Sequence, residues 1–228
     1  MRPHNQTLET RLTQGLPLEA EEVRIYAAEL VSAVSSLHAM GIMHRDIKPA
    51  NILINSEGHL ALADFGLSHN PDLPRKVLDF YRGHAWTQSG TPGYWAPEVR
   101  VFVPHKGATP YSDIYSLGIV VLEMALDQGE PFFSGKTMDE VNEAMATKAI
   151  PYDYIRKGDC ELADFIEKVC ADLVSSVKML IACLRQMVGT TLPPEKLDRW
   201  TAEALKQHPY LRSRINFGAL ERGLYPCM

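Results

Sequence analysis

Between Leu18 and His38, apolar residues fall at Val23, Tyr26, Ala27, Leu30, Val34 and Leu37, the i, i+3, i+4 rhythm of a helix that buries one face. Glu19, Glu21 and Glu22 crowd its start, where the helix dipole favours negative charge. The pattern predicts a core-facing helix that hands the chain, through Gly41, to the residues that follow. Ahead of it, Leu8 to Gln14 reads as a short polar helix ended by Gly15 and Pro17. Beyond it the period changes. Ile52 to Ile54 and His59 to Ala63 read as two short strands joined by a turn at Asn55-Ser56-Glu57-Gly58. Ser112 to Met124 is apolar almost throughout, which predicts a buried helix, and Asp113 inside it is expensive unless hydrogen-bonded. Helical spacing returns from Leu162 to Met187 (Ile166, Val169, Leu173, Val177, Leu180, Ile181, Leu184), and two or three helices are expected between Phe132 and Leu197. Leu67 to Ser89 is irregular and polar, a loop long enough to expect a function of its own.

With 228 residues, 46% of them hydrophobic, the chain can bury the core of one domain. A formal net charge of −5 points away from nucleic acid or an anionic membrane as partner. Cys160, Cys170, Cys183 and Cys227 show neither CxxC spacing nor the density of a secreted scaffold, so reduced thiols and a cytoplasmic or nuclear location are expected. Met1 to Gln14 lacks the apolar stretch of a signal peptide, and the longest apolar run, Leu117 to Met124, is too short to span a bilayer.

The chemistry is concentrated in His44-Arg45-Asp46-Ile47-Lys48-Pro49-Ala50-Asn51 and, shortly after, Asp64-Phe65-Gly66. Asp46 is a loop carboxylate able to orient a substrate hydroxyl and accept its proton. Lys48 can neutralise charge on a transferred group, while Asn51 and Asp64 offer the oxygen ligands that Mg²⁺ prefers. Pro49 stiffens the loop between base and ligand by fixing φ. The two strands would hold Asn51 and Asp64 near one another. Phosphoryl transfer is the reaction this set suits.

His44-Arg45-Asp46 with Asn51, then Asp64-Phe65-Gly66, then Ala96-Pro97-Glu98 resemble, in order, the catalytic-loop, metal-binding and activation-segment motifs of eukaryotic protein kinases. Lys48-Pro49-x-Asn51 resembles the serine/threonine class, and Trp86 to Pro92 is similar to the activation segment of the AGC group. The resemblance implies an α+β, predominantly α-helical fold: the large, C-terminal lobe of a protein kinase with a small β-hairpin region. Residues 1–211 would be the kinase-domain portion and 212–228 the beginning of an AGC-like C-terminal extension. It implies ATP and Mg²⁺ as cofactors, with Asp46 and Lys48 catalytic, Asn51 and Asp64 on the metal, and Lys48 and Leu53 on the nucleotide. Leu53 would lie under the adenine ring; ordinary core is the other reading of that residue. Protein substrates are implied, together with an upstream activating kinase acting on Thr87, or alternatively Ser89, whose phosphate would pair with Arg45. By the same resemblance Thr91 contacts the catalytic loop from the substrate-binding surface. Glu98 pairs with Arg199, and Asp113 binds backbone amides of the catalytic loop.

The sequence departs from the family pattern in two respects. It contains no glycine-rich phosphate loop, no strand lysine of the Val-Ala-Ile-Lys type and no helix glutamate to partner it, so the family's small N-terminal lobe is absent from these residues. Weak ATP binding and little transfer by this chain alone are therefore expected, whether it is a fragment, an incomplete gene model or a truncated protein. Ala50 and Thr7 stand where basophilic members carry acids, so the resemblance does not extend to a preference for arginine upstream of the target serine. Two other readings stay open: a non-catalytic, pseudokinase-like interaction module, and a metal-dependent hydrolase with His44, Asp46, Asp64 and Asp113 as ligands.

Overall fold

The computed structural model describes residues 4–69, 89–100, 108, 110–170 and 201–221. Among these the chain is predominantly helical with one small antiparallel sheet. β1 (His4–Thr7) leads into α1 (Leu8–Thr13) and the long α2 (Ala20–Ala39), followed by β2 (Ile52–Asn55) and β3 (Leu60–Leu62). Then come α3 (Pro97–Arg100), α4 (Pro110–Leu126), α5 (Met138–Thr147), α6 (Tyr152–Gly158), α7 (Cys160–Val169), α8 (Ala202–Leu205), α9 (Pro209–Arg212) and α10 (Phe217–Glu221).

α2 is the axis of the fold because it packs against α4, β3, α8, α9 and α10. The periodic positions Val23, Tyr26, Ala27, Leu30 and Val34 are buried as the pattern requires. Burial extends further, to Arg24, Ile25, Ala28, Val31 and Ser35, since neighbours lie on more than one side. Arg24 is tolerated there because its guanidinium donates to the carbonyl of Tyr210, pairs with Asp159 at 3.4 Å and lies 4.3 Å from the Tyr210 ring centroid.

The expected hairpin is present, with Ile52 opposite Leu62 and Leu53 opposite Ala61. Its turn is built by Asn55, whose Oδ1 accepts from the amides of Glu57 and His59, both at 2.9 Å, with Gly58 at φ 81°. A third strand, β1, joins β2 on the other side. No apolar alternation marks residues 4–7, because backbone pairing along a sheet edge sets no demand on side-chain type. Thr7 ends that strand and caps α1, its Oγ1 accepting from the amide of Thr10 at 3.1 Å.

α4 is the buried helix that the apolar run predicts, enclosed from Ser112 to Met124 except for the half-buried Ser116. Three helices, α5 to α7, lie between Phe132 and Cys170; residues 171–197, including the rest of the periodic stretch, fall outside the described residues. Where α4 meets α7, a Cβ on Gly118 would stand 2.6 Å from Val169 Cγ2 and 2.7 Å from Cys170 Sγ. Gly118→Ala is therefore expected to destabilise the fold by about 1–3 kcal/mol through overpacking, read from the urea midpoint of unfolding. Among the described residues no helix is long and apolar enough to cross a membrane.

Candidate active site

α2 ends at Ala39, and Gly41, at φ 70°, turns the chain into the loop of residues 42–51. Met43 and His69 exchange both backbone hydrogen bonds (2.8 and 2.9 Å), which clips the start of this loop to the segment after Asp64. His44 is fully buried. Its Nδ1 accepts from the Asp46 amide at 3.3 Å and its Nε2 donates to the Ala63 carbonyl at 3.0 Å, so the ring serves as a rigid strut with its proton on Nε2.

Arg45 sits at φ 70°, a left-handed conformation that a side-chain-bearing residue adopts at a cost. Asp113 holds it there. The Asp113 carboxylate, 2% exposed, accepts the His44 amide at 2.9 Å, the Arg45 amide at 2.8 Å and His38 Nε2 at 2.9 Å. A charge placed in an apolar helix is thus stabilised by donors from two other segments.

Asp46 lies at the centre of the loop. One carboxylate oxygen accepts the Thr91 hydroxyl at 3.0 Å, and the other accepts Asn51 Nδ2 at 2.9 Å and lies 3.0 Å from Lys48 Nζ. Lys48 also donates to Thr91 Oγ1 at 2.7 Å, which closes a ring of three side chains, Asp46, Thr91 and Lys48, with Asn51 attached at Asp46. Asp46 is buried at 8% exposure, and Lys48 and Thr91, which bond to its carboxylate, are half-buried.

Asn51 turns its amide nitrogen to both the carbonyl and the carboxylate of Asp46, at 2.9 Å each. Its Oδ1 accepts no hydrogen bond among the described residues. Ala63 donates its amide to the Asn51 carbonyl at 2.9 Å, which sets Asp64 beside Asn51 at the end of the hairpin. Asp64 is exposed, at φ 60°, and its Oδ1 takes only a long bond (3.3 Å) from the Gly66 amide. An amide oxygen and a carboxylate, both with acceptor capacity to spare, fit a hard, oxygen-seeking divalent ion. Leu53 is half-buried between the buried Ile52 and Ile54, on the face of β2 turned from the core.

The segment facing the loop is laid down by close contacts. Gly90 has φ 102°, and a Cβ there would come within 2.6 Å of the Arg45 carbonyl. The Arg45 guanidinium donates to the Ser89 hydroxyl, while Trp95 Nε1 donates to the Ser89 carbonyl at 3.1 Å. Thr87, Arg199 and the side chain of Glu98 lie outside the described residues, so the expected phosphosite and the Glu98–Arg199 pair carry no geometry. His44, Asp46, Asp64 and Asp113 do not converge: among the described residues no three His, Cys, Asp or Glu side chains could share a metal, and both nitrogens of His44 are engaged. The hydrolase reading is overturned on that ground.

Sequence reasoning passed over Glu123 and Tyr94, which meet beneath the segment that carries Thr91. The signal was in the sequence. Glu123 is a second acid in the apolar α4 helix, and the argument that singled out Asp113 applies to it equally.

Over 131 residues the chain is 40% identical to ribosomal protein S6 kinase alpha-3 of Mus musculus, covering 58% of this chain and 16% of that protein. It is 32% identical over 213 residues to ribosomal protein S6 kinase 2 beta of Xenopus laevis, covering 93% of this chain and 29% of that one. With a cAMP-dependent protein kinase, catalytic subunit-like, of Caenorhabditis elegans it shares 34% over 146 residues, 64% of this chain and 32% of the relative. The chain thus spans less than a third of the length of these relatives. The Protein kinase domain family matches residues 2–211, and with the loop, hairpin and helical core in the arrangement described, the chain belongs to the protein kinase family.

Proposed function

We propose that this chain is the catalytic lobe of a serine/threonine protein kinase, which moves the γ-phosphoryl group of ATP to a serine or threonine hydroxyl of a protein substrate. The observation that carries the reading is the ring of Asp46, Thr91 and Lys48, with Asn51 bonded to Asp46 through its amide nitrogen and its Oδ1, like the exposed Asp64 carboxylate, able to take a cation. Residues 1–211 form the lobe, and 212–228 begin an extension of the AGC type.

Asp46 accepts and orients the substrate hydroxyl, and takes its proton as the new O–P bond forms and the bond to the ADP oxygen breaks. Lys48 offsets negative charge on the transferred group. Asn51 and Asp64 would hold Mg²⁺, which when bound neutralises the phosphate oxygens. Thr91 fixes the Asp46 rotamer from the substrate side. The outward face of Leu53 supplies one wall for the adenine, and Thr87 is the activating phosphosite whose phosphate an upstream kinase would place against Arg45.

These 228 residues by themselves supply no glycine-rich loop and no strand lysine, so ATP binds them weakly and turnover is low. The test is a fusion of the 228 residues to a protein-kinase small lobe, assayed with a serine/threonine peptide library. Phosphoserine or phosphothreonine formed with Mg²⁺ and lost on chelation is the expected result. Transfer to tyrosine alone, or none from a folded fusion that binds ATP, overturns the reading.

A further inference from the structure

We propose that Glu29 is a positioning residue for the cation site: from α2 it clamps the outer edge of β3, and through that strand it sets where Asp64 stands relative to Asn51. The clamp itself is independent of the catalytic-lobe reading, on which its consequence for phosphoryl transfer rests.

Among the described residues β3 is an edge strand, paired with β2 on one side and with no strand on the other. Its outward amides need acceptors from elsewhere. Glu29 supplies one. One oxygen of its carboxylate accepts the Leu60 amide at 2.7 Å, and the other accepts His59 Nδ1 at 2.5 Å. A single side chain on the long helix thus holds the first residue of β3 and the ring that precedes it at the end of the turn. The neighbouring residues on this face of α2, Ser32, Ala33 and Ser36, are small. With Glu29 they line a cavity of about 540 Å³ between α2, the hairpin and Leu220 of α10, and the carboxylate spans the gap that their short side chains leave.

β3 acts as a lever because its far end is pinned. Ala63 donates its amide to the Asn51 carbonyl at 2.9 Å, and its own carbonyl accepts His44 Nε2 at 3.0 Å. Leu60 lies three residues before that pivot, about 10 Å along an extended strand. Asp64 is the residue directly after it, and its side chain takes the long 3.3 Å bond from the Gly66 amide. Asn51 is fixed separately, by the two bonds from its Nδ2 to Asp46. A swing of β3 away from α2 therefore turns Asp64 against a stationary Asn51, and the two oxygen donors no longer meet at one ion.

Stability does not account for an acid at this position. Burial raises the Glu29 carboxyl above its ordinary value, and the opposing pull of the Leu60 amide and of His59 does not offset that rise. A carboxyl raised in the folded state contributes stability that is full below the ordinary carboxylate range and is lost as pH rises through the raised value. Above that value the charge is a cost to the fold. What it supplies is direction, because two oxygens on two adjacent donors fix the angle between α2 and β3 as well as their separation.

The test is hydrogen exchange of the Leu60 and Ala63 amides in the 228-residue chain without nucleotide. Two variants are compared with the parent: Glu29→Leu, which keeps the size and removes both acceptors, and His59→Ala, which removes one arm. In Glu29→Leu the protection of Leu60 is expected to fall about tenfold and that of Ala63 about threefold, with smaller losses at both in His59→Ala. In the small-lobe fusion, Glu29→Leu is expected to raise the half-saturating Mg²⁺ concentration about fivefold with peptide KM within about twofold. Glu29→Gln, which keeps an acceptor for the Leu60 amide, is expected to restore most of that loss. A packing role would lower the urea midpoint and leave the Mg²⁺ dependence where it was. Loss of protection at Leu60 alone, or an unchanged Mg²⁺ requirement in a folded Glu29→Leu fusion, overturns the proposal. If Glu29→Leu does not fold, the same two measurements on His59→Ala decide it. If protection falls at both amides in a chain whose fusion never transfers phosphate, the clamp stands and the catalytic-lobe reading falls.

Discussion

Asp46→Asn in the small-lobe fusion is expected to lower kcat by about 10²–10⁴-fold, with ATP affinity retained and a melting temperature within a few degrees of the parent. Asparagine keeps the size of the side chain and one carbonyl oxygen, so the Thr91 hydroxyl can still be accepted. Two things change. The amide cannot take the substrate proton, and it presents a donor where Asn51 Nδ2 and Lys48 Nζ also donate, at 2.9 and 3.0 Å. Neither alters the apolar core, so a large loss of turnover with an intact fold separates a base from a structural carboxylate. Single-turnover phosphorylation of a serine peptide, run beside thermal unfolding, measures both. A variant within about threefold of the parent in kcat removes Asp46 from the chemistry.

Asp113→Ala is expected to cost about 3–5 kcal/mol, because it strands the amides of His44 and Arg45 and the ring nitrogen of His38 in a buried position with no acceptor. At about 2–4 °C per kcal/mol for a chain of this size, that lowers the melting temperature by roughly 10 °C. The loss is compounded at Arg45, whose left-handed backbone is stabilised by the bond to Asp113 Oδ1. Asp113→Asn retains one acceptor oxygen and is expected to lose about half as much, since its amide meets one of the amide donors head-on. Equilibrium unfolding in urea ranks the pair. If alanine and asparagine are equally mild, the catalytic loop does not depend on this carboxylate.

The helical part of the fold was legible wherever burial imposed a period. α2 and α4 follow their apolar patterns to within two residues, and the hairpin of β2 and β3 lies where the alternation and the Asn55 to Gly58 turn place it. β1 was not legible, because an edge strand of His, Asn, Gln and Thr is selected by backbone pairing alone. The width of burial on α2 also escaped the pattern. Arg24 reads as a solvated charge, and only the arrival of Tyr210 and Asp159 from remote parts of the chain makes its burial tolerable.

Within the candidate site the division is similar. Asp46, Lys48, Asn51 and Asp64 could be singled out as candidates from order and spacing, because a short loop joins the first three side chains and the hairpin pairs Ala63, next to Asp64, with Asn51. Glu123 and Tyr94 could not be paired in that way. They stand 29 residues apart, and nothing in either neighbourhood announces the other.

By itself the sequence picked out the candidate site residues, the family, and the helices whose one-sided burial leaves a period in the chain. The tertiary structure alone decided which buried charges find partners: Asp113 with the catalytic-loop amides, Arg24 with the Tyr210 carbonyl, and Glu123 with the turn under Thr91. The reason is one of range. Hydrophobic periodicity records only that a face is covered. A buried charge needs one donor or acceptor at about 3 Å, supplied from a segment that no local pattern identifies.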